Sequence, residues 1–348
     1  MKAVVYDSPT RVLSLREAPD PSPGAGEVLF LPAYAAICGS DLHMHAGSDG
    51  YRWMPPGMII GHEVAGRISG SDALFIVNPY IPCGRCKPCR LGQPNTCIGP
   101  TGDRNKEAPP WSLQYGFRRA GGHAGRMAVR RDNLVPVPAG LPVSLAALAE
   151  GAAVAVRAVK VGIALLGAAP LESAVVLGPG PIGLAATLAL AARGVRTAVL
   201  GLPQDAARLA RARRLGAANV ATTPADLDAV VDAWTERAGV DLVLEASGSE
   251  AALHTAIQVV RRSGVVVAIG IPGAPFSVRT REIVRGAIVL AGTYGVTASD
   301  LSDTLDLLAK DVTTSSVLLD RAFPLADVET AFAHAARSSG KVLLEITV

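Results

Sequence analysis

Two groups of side chains in this sequence have the types and spacing to bind metal. The first lies in "CGRCKPCRLGQPNTC" (83–97), where Cys83, Cys86, Cys89 and Cys97 follow the pattern C-x2-C-x2-C-x7-C. Two-residue gaps let successive thiolates converge on one point, as a tetrahedral zinc ion with Zn–S bonds of about 2.3 Å requires. Gly84, Pro88, Gly92 and Pro94 permit tight turns between the ligands, and Arg85, Lys87 and Arg90 offset part of the thiolate charge. Zinc is the reading the spacing favours. An iron–sulfur cluster uses four cysteines as well, and a pair of disulfides is the third possibility. A closed four-thiolate zinc site stabilises a lobe and leaves no coordination position for chemistry.

The second group is dispersed. Cys38, the one cysteine outside the loop, stands in "ICGSDLHMH" (37–45), and "IIGHEVAG" (59–66) brings His62 and Glu63. Taken singly, Cys38 reads as a small buried hydrophobe and His62 as a core histidine. Taken with the carboxylates of Glu63 and Glu150, they form a thiolate–imidazole–carboxylate set suited to zinc. Fewer than four tight protein ligands leaves room for water or substrate, the mark of a catalytic ion. The expectation is two Zn2+ per chain, one structural and one catalytic.

Elements must carry these groups, and the chain supplies two kinds. The first residues, "MKAVVYDSPT", read as a strand. From about 172 short apolar strands alternate with alanine-rich helices: "SAVVLGPGPIGLAATLALAARG" gives strand, glycine turn and helix. Further strands read at 197–200, 219–221, 240–247, 264–270 and 287–292. Repeated strand–helix alternation means a parallel, doubly wound sheet. In "GPGPIG", Gly178 allows the tight turn, Gly180 lets backbone approach a pyrophosphate and Gly183 lets helix pack on strand. The phosphates would sit at a helix N-terminus.

Composition narrows the class. With 348 residues the chain suggests two domains, and 49% hydrophobic against 18% charged residues describes a core-forming protein. A net charge of +3 without a long basic run asks for neither nucleic acid nor a membrane surface. The most basic stretch, "RLARARRLGA" (208–217), reads as a solvated helix face. No apolar run is of bilayer-spanning length, and the start lacks a signal peptide's features. A cytoplasmic location is expected, which counts against disulfides.

The order of "CGSDLH", "GHE", the four-cysteine loop and "GPGPIG" resembles that of the zinc-dependent medium-chain dehydrogenases over nearly the full length. Within that family "LAEGAAVAVRA" (148–158) is similar to the polyol and threonine dehydrogenase branch, where a glutamate stands in place of a cysteine. The resemblance implies an α/β protein of two domains. A GroES-like, β-rich catalytic domain comprises 1–151 and 294–348, and a Rossmann domain with a doubly wound parallel sheet spans 152–293. The interdomain cleft would hold the zinc.

The same resemblance gives roles. Cys38, His62 and Glu63 become catalytic zinc ligands, with Glu150 as the fourth, bound directly or through water. Ser40 would hydrogen-bond the substrate hydroxyl and pass its proton to the cofactor ribose and His43, while Asp41 would hold a ligand histidine in the right tautomer. Cofactor contacts fall on Gly178, Gly180, Pro181, Ile182 and Gly183, on Gly201 and Arg208, and on Ser247, Ile269, Gly270 and Thr293. The implied activity is reversible hydride transfer between a secondary hydroxyl of a polar substrate (a polyol, sugar or cyclitol) and NADP or NAD. A threonine-type amino-alcohol dehydrogenase is the alternative enzyme, and a non-catalytic zinc- and nucleotide-binding redox sensor the alternative of another class. A homodimer or homotetramer is expected.

Departures from the family pattern set further expectations. Gly201 stands where the second strand normally ends in an acid that grips the ribose 2′-hydroxyl, which favours NADP. The segment after "GHE", "RISGSDALFIVNPYIP", is shorter than the family's hairpin, so trimmed strands are expected there. The long stretch 98–127 carries Trp111, Gln114 and Tyr115, which with Tyr294 could form a substrate wall. His45, His123, His254 and His334 receive no role.

Overall fold

The computed structural model describes residues 1–99 and 113–346. The chain divides into two compact units: Met1–Gly151 with Gly295–Lys310 and Leu319–Val348, and Ala152–Tyr294 with Asp311–Leu318. The short stretch Asp311–Leu318 belongs to the second unit, although linear order alone groups it with the first. Its reason is local: Arg211 Nη1 donates to Val317 O at 2.6 Å, and Val317 and Leu318 are buried.

The first unit is built on a seven-stranded sheet. Strand Glu27–Ala36 is its axis, flanked by antiparallel Glu63–Ile68 on one side and antiparallel Lys341–Glu345 on the other. Ala36 is the register partner of both Glu63 and Leu343, so the ends of two strands meet the middle of a third at one level. Val4, Phe30, Val64, Met127, Phe332 and Leu344 are among the buried side chains of the core against this sheet. The shortened hairpin after "GHE" survives as expected: Glu63–Ile68 pairs with a four-residue strand, Leu74–Val77, in the register Ala65↔Ile76.

The second unit contains a six-stranded, wholly parallel sheet. Its spatial order is Asn219–Ala221, Arg196–Leu200, Ser173–Leu177, Val240–Glu245, Val260–Ala268 and Val289–Gly292. Strand order reverses between Ser173–Leu177 and Val240–Glu245, and ligands of open α/β sheets bind outside the strand ends at such a point. Strand Ser173–Leu177 is almost wholly buried, as a central parallel strand covered by helices on both faces must be. Helix Pro181–Ala191 starts with proline, whose missing N–H costs nothing in a first turn, and is apolar nearly all round because it is sunk in the unit. The strand read at 264–270 begins earlier, at Val260, directly after helix Glu250–Val259. The basic stretch forms helix Ala206–Arg214, with only Leu209 and Ala212 buried.

Candidate active site

Cys38, His62 and Glu63 place one donor atom each within 4.8 Å of one another. Sheet register explains why residues so far apart meet. Cys38 follows the end of strand Glu27–Ala36 and caps helix Gly39–His45, while Glu63 opens the neighbouring antiparallel strand opposite Ala36. Gly61, at φ +96, permits the bend before His62; a Cβ there would meet the ring of His123 at 2.3 Å. His62 and Glu63 are buried, at 7% and 0% exposure.

Glu150 lies in the first turn of helix Ala149–Leu166 and is also buried, but it falls outside the 4.8 Å set. Burial pushes its carboxyl up to about 8, with His62 opposing and Glu63 adding to the rise. Burial likewise pushes the Cys38 thiol up to about 11. His62 Nδ1 and Glu63 Oε2 are buried without a hydrogen-bond partner. Unpartnered buried donors and acceptors are rare, and a soft–borderline set of this kind fits Zn2+.

Lys341 completes the cluster, and no motif in the sequence points to it. Its Nζ lies 2.5 Å from Glu63 Oε1. Burial opposes its charge, yet Glu63 at hydrogen-bond distance holds the ammonium's pKa above the ordinary lysine value. Gly151 belongs to the same contact: a Cβ there would come 3.1 Å from Glu63 Oε2.

Ser40 Oγ is buried and without a partner, whereas His43 is exposed. Asp41 is fully buried but takes a different part from the one expected. Its Oδ2 accepts the Cys38 amide at 2.8 Å, the reciprocal half of a helix cap, while Oδ1 has no partner. It orients the loop that carries Cys38 instead of gripping a ligand imidazole.

Two expected substrate contacts are also corrected. Tyr115 is fully buried in the first unit's core, and its hydroxyl accepts the Arg130 amide at 2.9 Å. Gln114 is buried at 5% exposure, with its side-chain nitrogen unpartnered. Trp111 lies outside the described residues, and Tyr294 is partly exposed in the second unit. The aromatic surface beside the ligands is instead Phe117, its ring 4.9 Å from that of His62, with Trp53 stacked on Phe117 at 6.3 Å. Nothing periodic marks these two residues in the sequence. His123 is wholly buried, its Nε2 3.3 Å from Ala36 O, and burial lowers its pKa.

The four-cysteine loop closes as its spacing demands. All four sulfurs lie within 4.8 Å of one another and all five cysteines are free thiols. The Cys86–Cys89 sulfur separation of 3.3 Å is far beyond a disulfide bond of about 2.05 Å. The Cys86 amide donates to Cys83 Sγ, the Cys83 amide and the Gly99 amide to Cys97 Sγ. Backbone amides of Arg85 and Cys86 hold the Cys83 thiol down at about 6, whereas burial and its sulfur neighbours push Cys89 up to about 12.

In the second unit the glycine turn has the shape of a pyrophosphate cradle. Gly178 has φ +94, and a Cβ on Gly183 would lie 1.9 Å from Gly178 O. No atom lies within 4 Å of a Cβ built on Gly180, so the backbone there is open. Pro181 and Ile182 begin the helix. At the strand ends, Gly270 packs on Gly248, with a Cβ reaching Gly248 N at 2.1 Å, and Ser247 donates to Glu245. Ile269 and Gly270 donate backbone N–H to Glu245 O, and Thr293 Oγ1 is buried without a partner.

Residues 24–139 match the alcohol dehydrogenase GroES-like domain and residues 181–310 the zinc-binding dehydrogenase family. The chain belongs to the zinc-dependent medium-chain dehydrogenases. Sorbitol dehydrogenase of Halalkalibacterium halodurans is 27% identical over 100% of this chain and 99% of its own length. L-Threonine 3-dehydrogenase of Coxiella burnetii is 27% identical, covering 99% of each. Among solved structures, L-idonate 5-dehydrogenase of Escherichia coli K-12 superposes with a TM-score of 0.82 at 25% identity, over 99% of this chain and 98% of that one. As a medium-chain dehydrogenase of this kind, the protein uses Zn2+ and NAD(P) to oxidise an alcohol reversibly. Among the described residues, no helix is long and apolar enough to cross a membrane.

Proposed function

We propose that the protein oxidises a secondary hydroxyl of a small polyhydroxylated substrate, a polyol, sugar or cyclitol, with NAD(P) as hydride acceptor. The observation that carries this reading is the convergence of Cys38, His62 and Glu63 beside the buried, unpartnered hydroxyl of Ser40. Cys38, His62 and Glu63 would hold the zinc, with Glu150 near enough to feel their charges. When bound, that ion supplies Lewis acidity that makes an alcohol easier to deprotonate, and the nicotinamide accepts the hydride.

The chain's own residues do the rest. Ser40 Oγ takes a hydrogen bond from the substrate hydroxyl and passes a proton outward. Exposed His43 exchanges it with water. Phe117, backed by Trp53, offers an aromatic edge beside His62 against which the C–H face of a sugar-like carbon skeleton can lie, leaving its hydroxyls to polar groups. Lys341 holds the Glu63 side chain in place. The polyol-acting relatives support this substrate class, and the threonine dehydrogenases mark its competitor.

The test is a panel of polyols, cyclitols, L-threonine and simple secondary alcohols with zinc-replete protein and either dinucleotide. Turnover of a polyol or cyclitol with kcat/KM above that of L-threonine is expected. A preference for L-threonine would move the reading to an amino-alcohol dehydrogenase. Dinucleotide binding without turnover on any alcohol would point to a sensor.

A further inference from the structure

We propose that Asp205 is the residue that selects the dinucleotide, supplying from four positions further on the carboxylate that Gly201 lacks, and that it favours NAD over NADP. The inference rests on the second unit being a dinucleotide binder. It reverses the preference that the missing acid alone suggests.

Strand Arg196–Leu200 ends at Gly201, beside the glycine turn. A Cβ on Gly201 would lie 2.8 Å from Cγ of Pro179, so no side chain can start there unless the phosphate-binding turn moves. The same Cβ would lie only 3.2 Å from Cβ of Asp205. The Asp205 side chain therefore begins in the space that an acid at 201 would fill.

Its carboxylate is held there from two sides. Pro203–Asp205 forms a single tight turn in which the Asp205 amide donates to Leu202 O at 2.9 Å. Asp205 Oδ2 closes that turn by accepting the Leu202 amide at 3.0 Å. Arg208 Nη1 donates to Oδ1 at 3.2 Å, and the Asp205 side chain is only 17% exposed. Each carboxylate oxygen retains acceptor capacity, enough for the two vicinal hydroxyls of an NAD ribose. A 2′-phosphate would instead bring about two negative charges against a largely buried carboxylate. Arg208 acts here as a positioning residue, through Asp205.

The experiment is calorimetric titration of zinc-loaded protein with NAD+ and NADP+. Wild type should bind NAD+ more tightly by about tenfold or more, the factor for one charge-assisted hydrogen bond. Asp205→Asn keeps an acceptor for the Leu202 amide and should shrink the NAD+/NADP+ affinity ratio by a similar factor. Arg208→Gln should weaken NAD+ binding, as a positioning role requires. Loss of NADP+ affinity alone would instead make Arg208 a phosphate ligand and overturn the inference. Equal or tighter NADP+ binding by wild type would overturn it too, as would an unchanged ratio in a natively melting Asp205→Asn. Should that variant fail to fold, Asp205→Ser and the wild-type ratio still decide. Binding of neither dinucleotide would overturn the dinucleotide reading and this inference together, whereas a preference for NADP+ would remove only the selector.

Discussion

Lys341 Nζ sits 2.5 Å from Glu63 Oε1, an ion pair joining residues 278 positions apart in the chain. Both side chains are nearly or fully removed from solvent, at 10% and 0% exposure. Such a pair need not add net stability, but removing one partner strands the other's charge, at a cost of about 3–5 kcal/mol. Lys341→Met should therefore lower the melting temperature of chelator-stripped protein. Added zinc should recover more of it than in wild type, because the ion can take over neutralisation of Glu63. Differential scanning fluorimetry with and without chelator reads this directly. An unchanged melt in the stripped variant would show that Glu63 is not held by Lys341.

The two ligand sets should separate by mutation. Metal analysis of wild type should find two zinc ions per chain. Cys38→Ser should lose about one, abolish turnover and leave the secondary structure intact. Cys89→Ser should also lose one, but with lowered solubility or melting temperature, since a closed structural site contributes folding energy. Iron in place of zinc, or the opposite pairing of effects, would contradict the assignment.

Gly183→Ala tests the dinucleotide turn. A methyl at 1.9 Å from Gly178 O cannot be accommodated, so helix Pro181–Ala191 must shift off its strand. NAD(H) affinity should fall at least tenfold, and the melting temperature should drop as well. Calorimetry showing wild-type affinity would mean that the turn does not carry the pyrophosphate.

Asp241 gives a prediction about pH that does not involve metal. Burial alone would raise its pKa, but the Arg261 guanidinium at 2.7 Å and the amides of Ser173 and Glu172 at 3.0 Å hold it below the ordinary value of 3.8. A depressed folded-state pKa adds stability above the unfolded value and loses it as pH falls through the folded one. Asp241→Asn should cost about 1–3 kcal/mol at neutral pH. The difference from wild type should shrink as pH drops below 3.8. Urea unfolding across that range measures it; a gap independent of pH would sink the linkage.

Phe117→Ala should lower kcat/KM for the preferred polyhydroxylated substrate by more than for a small secondary alcohol. A general loss of fold would reduce both alike. Equal losses would remove Phe117 from the substrate wall and leave it as packing for His62.

What the linear order determined here is what short segments determine by themselves. Cys83, Cys86, Cys89 and Cys97 lie within one loop, so their spacing fixes their convergence, and the turn at Gly178–Gly183 likewise follows from local glycine geometry. Strand–helix alternation gave the parallel sheet because each period of hydrophobicity is read within a few residues. The partnership of Cys38 with His62 and Glu63 was legible through their ligand types and the family resemblance, without its geometry. Sheet register then put them together, with Ala36 opposite Glu63. Tertiary structure alone brought Lys341 to Glu63 and Phe117 to His62, and sank Tyr115 into the core. It also turned Asp41 to the Cys38 amide and put the Asp205 Cβ 3.2 Å from where a side chain at Gly201 would begin. These are contacts between side chains whose neighbours depend on which strand ends and turns pack side by side, and no periodicity along a chain encodes that.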